Sequence, residues 1–231
     1  MNIKKIVVAE NTQETIQDHS DPAYNHVHAC VRDNATLIYF YNPTADLHEK
    51  VIFEFFLGNQ AQLFFIPRIT HQSLKMELSV VLEKPGADAQ IFGYYVLKKQ
   101  QTIFLTTKQH HQAPCTKSVL VINGVLAGNS RAEYDGSIII EQHAQASDAA
   151  QSNKNLVFDQ AHARSEPNLE VKTNNVSCKH GSAVGTLDPE HVFYMQARGL
   201  SVQKAQELYT DGFLQAVFDG LPDVIKKSVN V

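Results

Sequence analysis

The most constraining feature of this sequence is a series of short apolar segments that recur at close spacing from Tyr24 to Glu141. They are rich in Val, Ile, Phe, Tyr and Thr, the residue types that favour strands over helices. Dipeptides typical of turns separate them, at Asn42-Pro43, Gly58-Asn59, Pro85-Gly86, Asn123-Gly124, Gly128-Asn129 and Asp135-Gly136. Many short strands predict a β-sandwich, a β-barrel or a β-solenoid. No strict period is present, so the spacing alone leaves all three open.

The two ends of the chain differ from this pattern. Ile3 to Ala9 predicts a strand, and the polar segment that follows, rich in Asn, Gln and Asp, predicts a loop. After residue 186 the pattern is helical. Asp188-Pro189-Glu190 has the residues of a helix start, and Ser201 suits the cap of a second helix that stops near Gly220. We therefore expect a β core domain over residues 1–186 and a helical segment over residues 187–231.

Composition narrows the classes of function. The 231 residues carry 20 Lys plus Arg against 24 Asp plus Glu, so the charge favours neither nucleic acid nor an anionic membrane. The apolar run near the N-terminus has only four residues, fewer than the roughly 7–15 of a secretory signal, and no apolar run approaches the roughly 18 residues of a membrane span. The three cysteines, Cys30, Cys115 and Cys178, are odd in number and far apart. They do not suggest a disulfide framework, which predicts a cytoplasmic location.

Cys178 and His180 are the first candidate site. Val176, Cys178 and His180 alternate along a predicted strand and therefore share one face. Two strand residues at this spacing lie roughly 7 Å apart, and thiol and imidazole are ligands that suit iron and zinc. The pair supplies half of a usual four-ligand site. The alternative interpretation is a core cysteine beside a hydrogen-bonded histidine.

His26 and His28 are a second, weaker candidate. His-x-His opens a cupin-type metal site, but the Glu that should follow within four residues is missing. The pair leaves open an alternative function, a β-helix or cupin-like metal-dependent enzyme acting on small molecules or sugars. His110 and His111 are neighbours in a predicted polar loop and should face opposite ways, while Cys30 and Cys115 should pack as small hydrophobes. No phosphate-binding glycine loop is present, so any nucleotide belongs to a partner.

A set of ordered motifs carries a family resemblance. They are Gly136-Ser-Ile-Ile-Ile140, Asp148-Ala-Ala-Gln-Ser-Asn-Lys-Asn-Leu156, Ala161-His-Ala-Arg164, Pro167-Asn-Leu-Glu-Val171, Cys178-Lys-His-Gly181, Val184-Gly-Thr-Leu-Asp188 and Phe193-Tyr-Met-Gln-Ala-Arg-Gly-Leu200. In this order they resemble the SufB/SufD family, the core scaffolds of SUF iron–sulfur cluster assembly. The match is close from about Val119 to Gly220 and fainter from Tyr24 to Lys117. The Cys-x-His-Gly form is more similar to SufD.

The resemblance implies a mainly β fold, a right-handed parallel β-helix (a single-stranded solenoid) followed by a small helical segment. It implies a non-catalytic scaffold that pairs with a SufB-like chain or with a second copy. Cys178 and His180 would lie at that interface, where an iron–sulfur cluster is held at most transiently and no cofactor is stably bound. The helices would dock a SufC-type ABC ATPase, through Phe193, Tyr194, Leu200, Ala205, Leu208, Tyr209 and Phe213.

Two departures from the family pattern shape these expectations. The family usually has a long helical segment before the β-helix, whereas strands begin here almost at once, so we expect that domain to be missing. His180-Gly181-Ser182-Ala183 replaces the common His-Gly-Ala-Thr. The chain is therefore expected to be either a SufD-like scaffold, a reduced homologue that pairs with itself, or a degenerate member with only a structural role.

Overall fold

A computed structural model of the chain describes residues 2–19, 23–43, 49–70 and 72–229, without the side chain of Val229. The strands are β1 (Ile3–Val8), β2 (Gln13–Asp18), β3 (His26–Val31), β4 (Thr36–Tyr41), β5 (Lys50–Leu57), β6 (Gln62–Thr70), β7 (Leu74–Leu82), β8 (Asp88–Leu97), β9 (Thr102–His111), β10 (Lys117–Leu126), β11 (Arg131–Ile140), β12 (Ser147–Val157), β13 (His162–Val171) and β14 (Val176–Gly185). The helices are α1 (Pro189–Ala197), α2 (Val202–Gln215), a 3-10 helix (Ala216–Gly220) and α3 (Asp223–Val229).

The strands form two seven-stranded sheets in which each described pairing is parallel. The odd-numbered strands make one sheet and the even-numbered strands make the other, each in chain order. The chain thus alternates between the sheets, and every turn lies on the one before it. This is a parallel β-solenoid, which confirms the fold expected from the family resemblance and decides among the three β architectures.

The alternation of side chains explains why these segments fold as strands between two sheets. In β5 the buried positions are Val51, Phe53, Phe55 and Leu57, and the residues between them are partly exposed. Fully burying a large apolar side chain contributes roughly 1.5–3 kcal/mol. The period-2 pattern therefore directs one row of each strand into the space between the sheets.

Two predicted turns are wrong, because Asn123-Gly124 lies within β10 and Asp135-Gly136 lies within β11. A Cβ at Gly124 would lie 2.2 Å from the Tyr95 ring, and one at Gly136 would lie 1.9 Å from Gln151 Nε2. These glycines make room for large inward-facing neighbours. The turns predicted at Gly58, Gly86 and Gly128 do separate strands, and Gly86 and Gly128 have positive φ.

Two polar segments form strands that their composition concealed. The predicted N-terminal loop contains β2, which pairs with β4. The polar segment Ser147–Val157 is β12, which lies between β10 and β14. In both segments the backbone hydrogen bonds to an adjacent turn take precedence over low intrinsic strand propensity, because the register is set by the stack.

The helical segment begins as predicted and packs on the even sheet. Asp188 accepts a hydrogen bond from the Glu190 backbone N–H at 2.9 Å, and Ser201 accepts one from Lys204 at 3.2 Å. Residues of the 3-10 helix and α3 then cover the outer face of β4, β6 and β8. The two sides of this contact are Val217, Phe218, Leu221 and Ile225 against Ile38, Phe40, Phe64, Ile66 and Phe92. No helix in the described part of the chain is long and apolar enough to cross a membrane.

Candidate functional site

The last turn of the solenoid is open. Among the described strands, β13 pairs only with β11 and β14 pairs only with β12, so each leaves one edge without a strand partner. Both strands are exposed over most of their length. The edge also presents apolar side chains, since Leu169 is 40% and Val184 is 47% exposed. An open parallel edge with apolar side chains is a template for another polypeptide.

Cys178 and His180 lie on β14 with side chains on the same face. Cys178 is half-buried at the rim of a small apolar cluster of Ile138, Ile140, Ala144 and Ala149. Burial raises the pKa of the Cys178 thiol, and the nearby Asp148 carboxylate raises it further. His180 is exposed. In the described part of the chain no hydrogen bond joins the two, so the pair is placed together by strand geometry alone.

A buried layer of polar side chains lies beneath this pair. His111 is fully buried, with its Nδ1 2.7 Å from Thr116 Oγ1 and its Nε2 2.8 Å from Ser118 Oγ. Gln109 Nε2 donates to Ser118 Oγ at 2.7 Å, and Thr116 Oγ1 lies 2.8 Å from Ser147 Oγ. Burial, with a smaller effect of the adjacent His110, lowers the pKa of His111 to about 4. The imidazole is therefore neutral at physiological pH.

The polar layer continues along β12 towards β14. Asn155 Nδ2 donates to Asn153 Oδ1 at 2.8 Å, and Asn153 Nδ2 donates to the Ile122 carbonyl at 2.8 Å. Gln151 is only 3% exposed, and within the described residues neither polar atom of its amide has a hydrogen-bond partner. In register, Gln151 lies directly beside His180. The polar interior thus reaches the exposed turn at the position of the candidate site.

These interior polar residues were not identified from the sequence, although one signal was present. Ser147, Ala149, Gln151, Asn153 and Asn155 alternate with period two, as inward residues of a strand do. Small and amide side chains in place of apolar ones hid the pattern. The alternation of polar residues beside predicted strands is therefore the signal that identifies these interior positions.

The residues predicted for docking fall into three groups. Phe193, Tyr194 and Leu208 are 73%, 59% and 54% exposed, and the unpredicted Val202 is 46% exposed. A second group is partly buried: Leu200, Tyr209 and Phe213. Ala205, in contrast, is fully buried, so it supports helix packing and is not available to a docking surface.

Next to this surface α1 and α2 border an open cleft. The cleft has a volume of about 510 Å³ and also reaches the end of β12, with Val157, Pro189, Val192 and Val202 among its lining residues. An apolar cleft beside exposed aromatic side chains is a feature of protein-binding surfaces.

The second candidate site, His26 and His28, lies beside a carboxylate that the sequence did not reveal. Glu54 of β5 lies beside His28 in register, and its Oε2 is 2.7 Å from His26 Nε2 and 3.4 Å from His28 Nδ1. Even so, the described residues contain no group of three His, Cys, Asp or Glu side chains arranged to hold a metal ion. His110 and His111 face opposite ways as predicted, but on β9 and not in a loop, with His110 bound to Glu141 at 3.0 Å.

The fold and site define a β-solenoid protein whose last turn is an open edge carrying a thiol and an imidazole. The chain belongs to the SufB/SufD family, because a family model described as "SUF system FeS cluster assembly, SufBD core domain" matches residues 6–213. This confirms the resemblance seen in the sequence.

Curated relatives agree with this assignment. An iron–sulfur cluster assembly SufBD family protein of Mycobacterium leprae is 31% identical over 68% of the chain and 43% of its own length. The SufD protein of Escherichia coli is 31% identical over 51% of the chain and 28% of its length. A chloroplastic SufBD family protein of Arabidopsis thaliana is 29% identical over 66% of the chain and 28% of its own length. The alignments thus span less than half of each relative.

Proposed function

We propose that this chain is a non-catalytic, SufD-like scaffold of SUF-type iron–sulfur cluster assembly, acting in the cytoplasm. The observation that carries the proposal is the open last turn, with Cys178 and His180 on it, in a chain whose residues 6–213 match the SufBD core domain. The three cysteines are free thiols, which is consistent with a reducing compartment. In this function residues 1–186 form the scaffold body and residues 187–231 form the docking segment.

The last turn is the proposed pairing surface, occupied by a SufB-like chain or by a second copy. Unpaired N–H and C=O groups of β13 and β14 would be satisfied by strands of the partner. Leu169 and Val184, which are exposed in the single chain, would be covered at the same time. A partner of the same solenoid class would continue the stack of the two sheets across the seam.

Cys178 and His180 would then meet iron and sulfide at that seam, as substrates and not as a resident cofactor. A cysteine binds metal as thiolate, and burial favours the neutral thiol of Cys178 in the single chain. Cluster binding would therefore release a proton from Cys178, and the further ligands would come from the partner or from an incoming cluster.

The helical surface of Phe193, Tyr194 and Leu208 is the proposed docking site for a SufC-type ATPase. Its exposed aromatic and aliphatic side chains lie beside the cleft between α1, α2 and β12. The ATP-driven motion of such a partner would favour an open state of the seam, as a shift between two populations.

Copurification tests both surfaces separately. The tagged chain is coexpressed with a SufB-like and a SufC-like protein, and the two associations are measured. We expect Leu208→Asp to abolish recovery of the ATPase and to leave pairing intact, and Val184→Asp to have the reverse effect. Phe104→Asp and Val7→Asp are matched controls, because these side chains are 42% and 57% exposed and lie elsewhere on the solenoid. Unchanged association in Leu208→Asp would refute the docking surface.

The role of Cys178 and His180 is tested by complementation. In a host that depends on this scaffold, Cys178→Ser and His180→Ala should reduce cluster assembly while leaving both associations intact. Full activity of both variants would instead support the purely structural role that the sequence left open.

A further inference from the structure

The outer face of β3 carries a row of three chemically active side chains. His26, His28 and Cys30 face outward because they alternate with buried residues. The strand β5 places Glu54 beside His28 and Phe56 beside Cys30. On the other side, β1 places Lys5 beside His28 and Val7 beside Cys30. This cluster belongs to the odd sheet, and it uses none of the residues of the last turn.

The carboxylate fixes the proton on His28. Burial alone would raise the pKa of Glu54, but the hydrogen bonds from His26 and His28 outweigh it and hold this pKa below its usual value. An ionised carboxylate can only accept hydrogen bonds. The nitrogen of His28 that faces Glu54, Nδ1 at 3.4 Å, must therefore be the protonated one.

The other nitrogen of His28 faces the thiol. In the neutral ring Nε2 is an acceptor, and it lies 3.8 Å from Cys30 Sγ, within the reach of a hydrogen bond to sulfur. The Phe56 ring packs against the imidazole with centroids 4.8 Å apart and restricts its rotation. The order Cys30, His28, Glu54 is that of a thiol, a base and a carboxylate that orients the base.

The other two cysteines lack this arrangement. Cys178 and His180 have the same spacing as His28 and Cys30 in the opposite order, yet no hydrogen bond joins them among the described residues, and burial raises the pKa of the Cys178 thiol. Cys115 is exposed in a turn with φ 58°. If access alone determined reactivity, Cys115 would react faster than the half-buried Cys30.

We propose that Cys30 is a nucleophilic thiol that His28 activates, and that it reacts with low-molecular-weight disulfides. His28 Nε2 accepts the thiol proton, and the Cys30 sulfur attacks one sulfur of the disulfide. A new S–S bond forms to Cys30 as the S–S bond of the reagent breaks. The released thiolate takes the proton from His28, so that Cys30 is oxidised and the leaving half is reduced. Glu54 positions and stabilises the transient imidazolium.

The test compares cysteines within one protein. The 231-residue chain is treated with iodoacetamide, and separately with cystamine, and modification of each cysteine is followed by peptide mass spectrometry. We expect Cys30 to react about tenfold faster than Cys115 at neutral pH, since His28 Nε2 lies 3.8 Å from Cys30 Sγ and can accept the thiol proton as the sulfur attacks. His28→Gln should lower the Cys30 rate about tenfold at neutral pH, with no effect at Cys115.

His180→Gln is the matched control, because it removes an imidazole two residues from a different cysteine and should leave Cys30 unchanged. The comparison within the unaltered chain does not depend on the folding of a variant. A Cys30 rate equal to or below that of Cys115 would refute the proposal. So would stoichiometric zinc in the purified chain that protects Cys30 until a chelator removes it, since that result would assign the cluster to metal binding.

Discussion

Around β3 to β6 the interior of the solenoid is a cluster of aromatic rings, whereas around β9 to β12 it is a network of hydroxyls, amides and one imidazole. Tyr39, Phe53, Phe55 and Phe65 have ring centroids between 4.9 and 6.3 Å apart. The polar network instead connects side chains at hydrogen-bond distances of 2.7–2.8 Å. One backbone architecture thus accommodates two different interiors.

The difference shows what the parallel stack itself provides. Backbone N–H and C=O groups are satisfied by the neighbouring turns wherever the strands pair, so the inward side chains are free to change in character. Aromatic packing near the N-terminal turns contributes dispersion and apolar burial. Buried polar groups near the open end add little net stability and cost free energy when left unpaired. Stability is therefore concentrated away from the surface that we propose for pairing.

The largest effect is expected from the aromatic interior. Phe53→Ala removes a ring that is 1% exposed and contacts Tyr39, Tyr41 and Phe65. It should lower the free energy of unfolding by about 3–5 kcal/mol, because a cavity replaces a well-packed ring. Urea denaturation measures this change. Phe104→Ala, at a side chain that is 42% exposed, is the control and should cost far less. Equal losses would contradict the large contribution assigned to the aromatic interior.

An intermediate effect is expected from pH. The pKa of His111 is about 4 in the folded chain and about 6.5 when unfolded, so the unfolded chain takes up the proton first. The contribution of neutral His111 is complete above pH 6.5 and is lost as the pH falls through 4, by at most about 3 kcal/mol. Urea denaturation between pH 7 and pH 4 should show this loss, and His111→Gln should reduce the slope. His162→Gln, at an exposed position, is the matched control variant.

The sequence predicted the secondary structure and the family better than the side-chain contacts between turns of the solenoid. Strand-rich segments, the helix start at Asp188 and the family motifs were evident, because each depends on local pattern or on ordered residues. The contact of Glu54 with His28 was not evident. A solenoid brings together residues separated by a whole turn, and the pairing register of two strands cannot be seen in the sequence of either strand. The interior glycines Gly124 and Gly136 looked like turns, because Tyr95, which crowds Gly124, lies one turn away along the stack and Gln151, which crowds Gly136, lies on the facing sheet. Cys178 and His180 were placed on one face correctly, and their role at an interface stays a prediction.

The smallest effect, and the sharpest test of the polar interior, is expected at Gln151. Its amide is buried without a hydrogen-bond partner among the described residues, and a desolvated amide that makes no bond is unfavourable. Gln151→Leu, of similar volume, should therefore stabilise the isolated chain by about 1 kcal/mol in urea denaturation. Asn153→Ala is the contrasting variant, since it removes a bond to the Ile122 carbonyl and should destabilise. If Gln151→Leu instead destabilises the chain, the amide has a partner such as bound water, and the polar network is complete. If it stabilises the chain but weakens pairing, the unpaired amide is held in place for the partner beside His180.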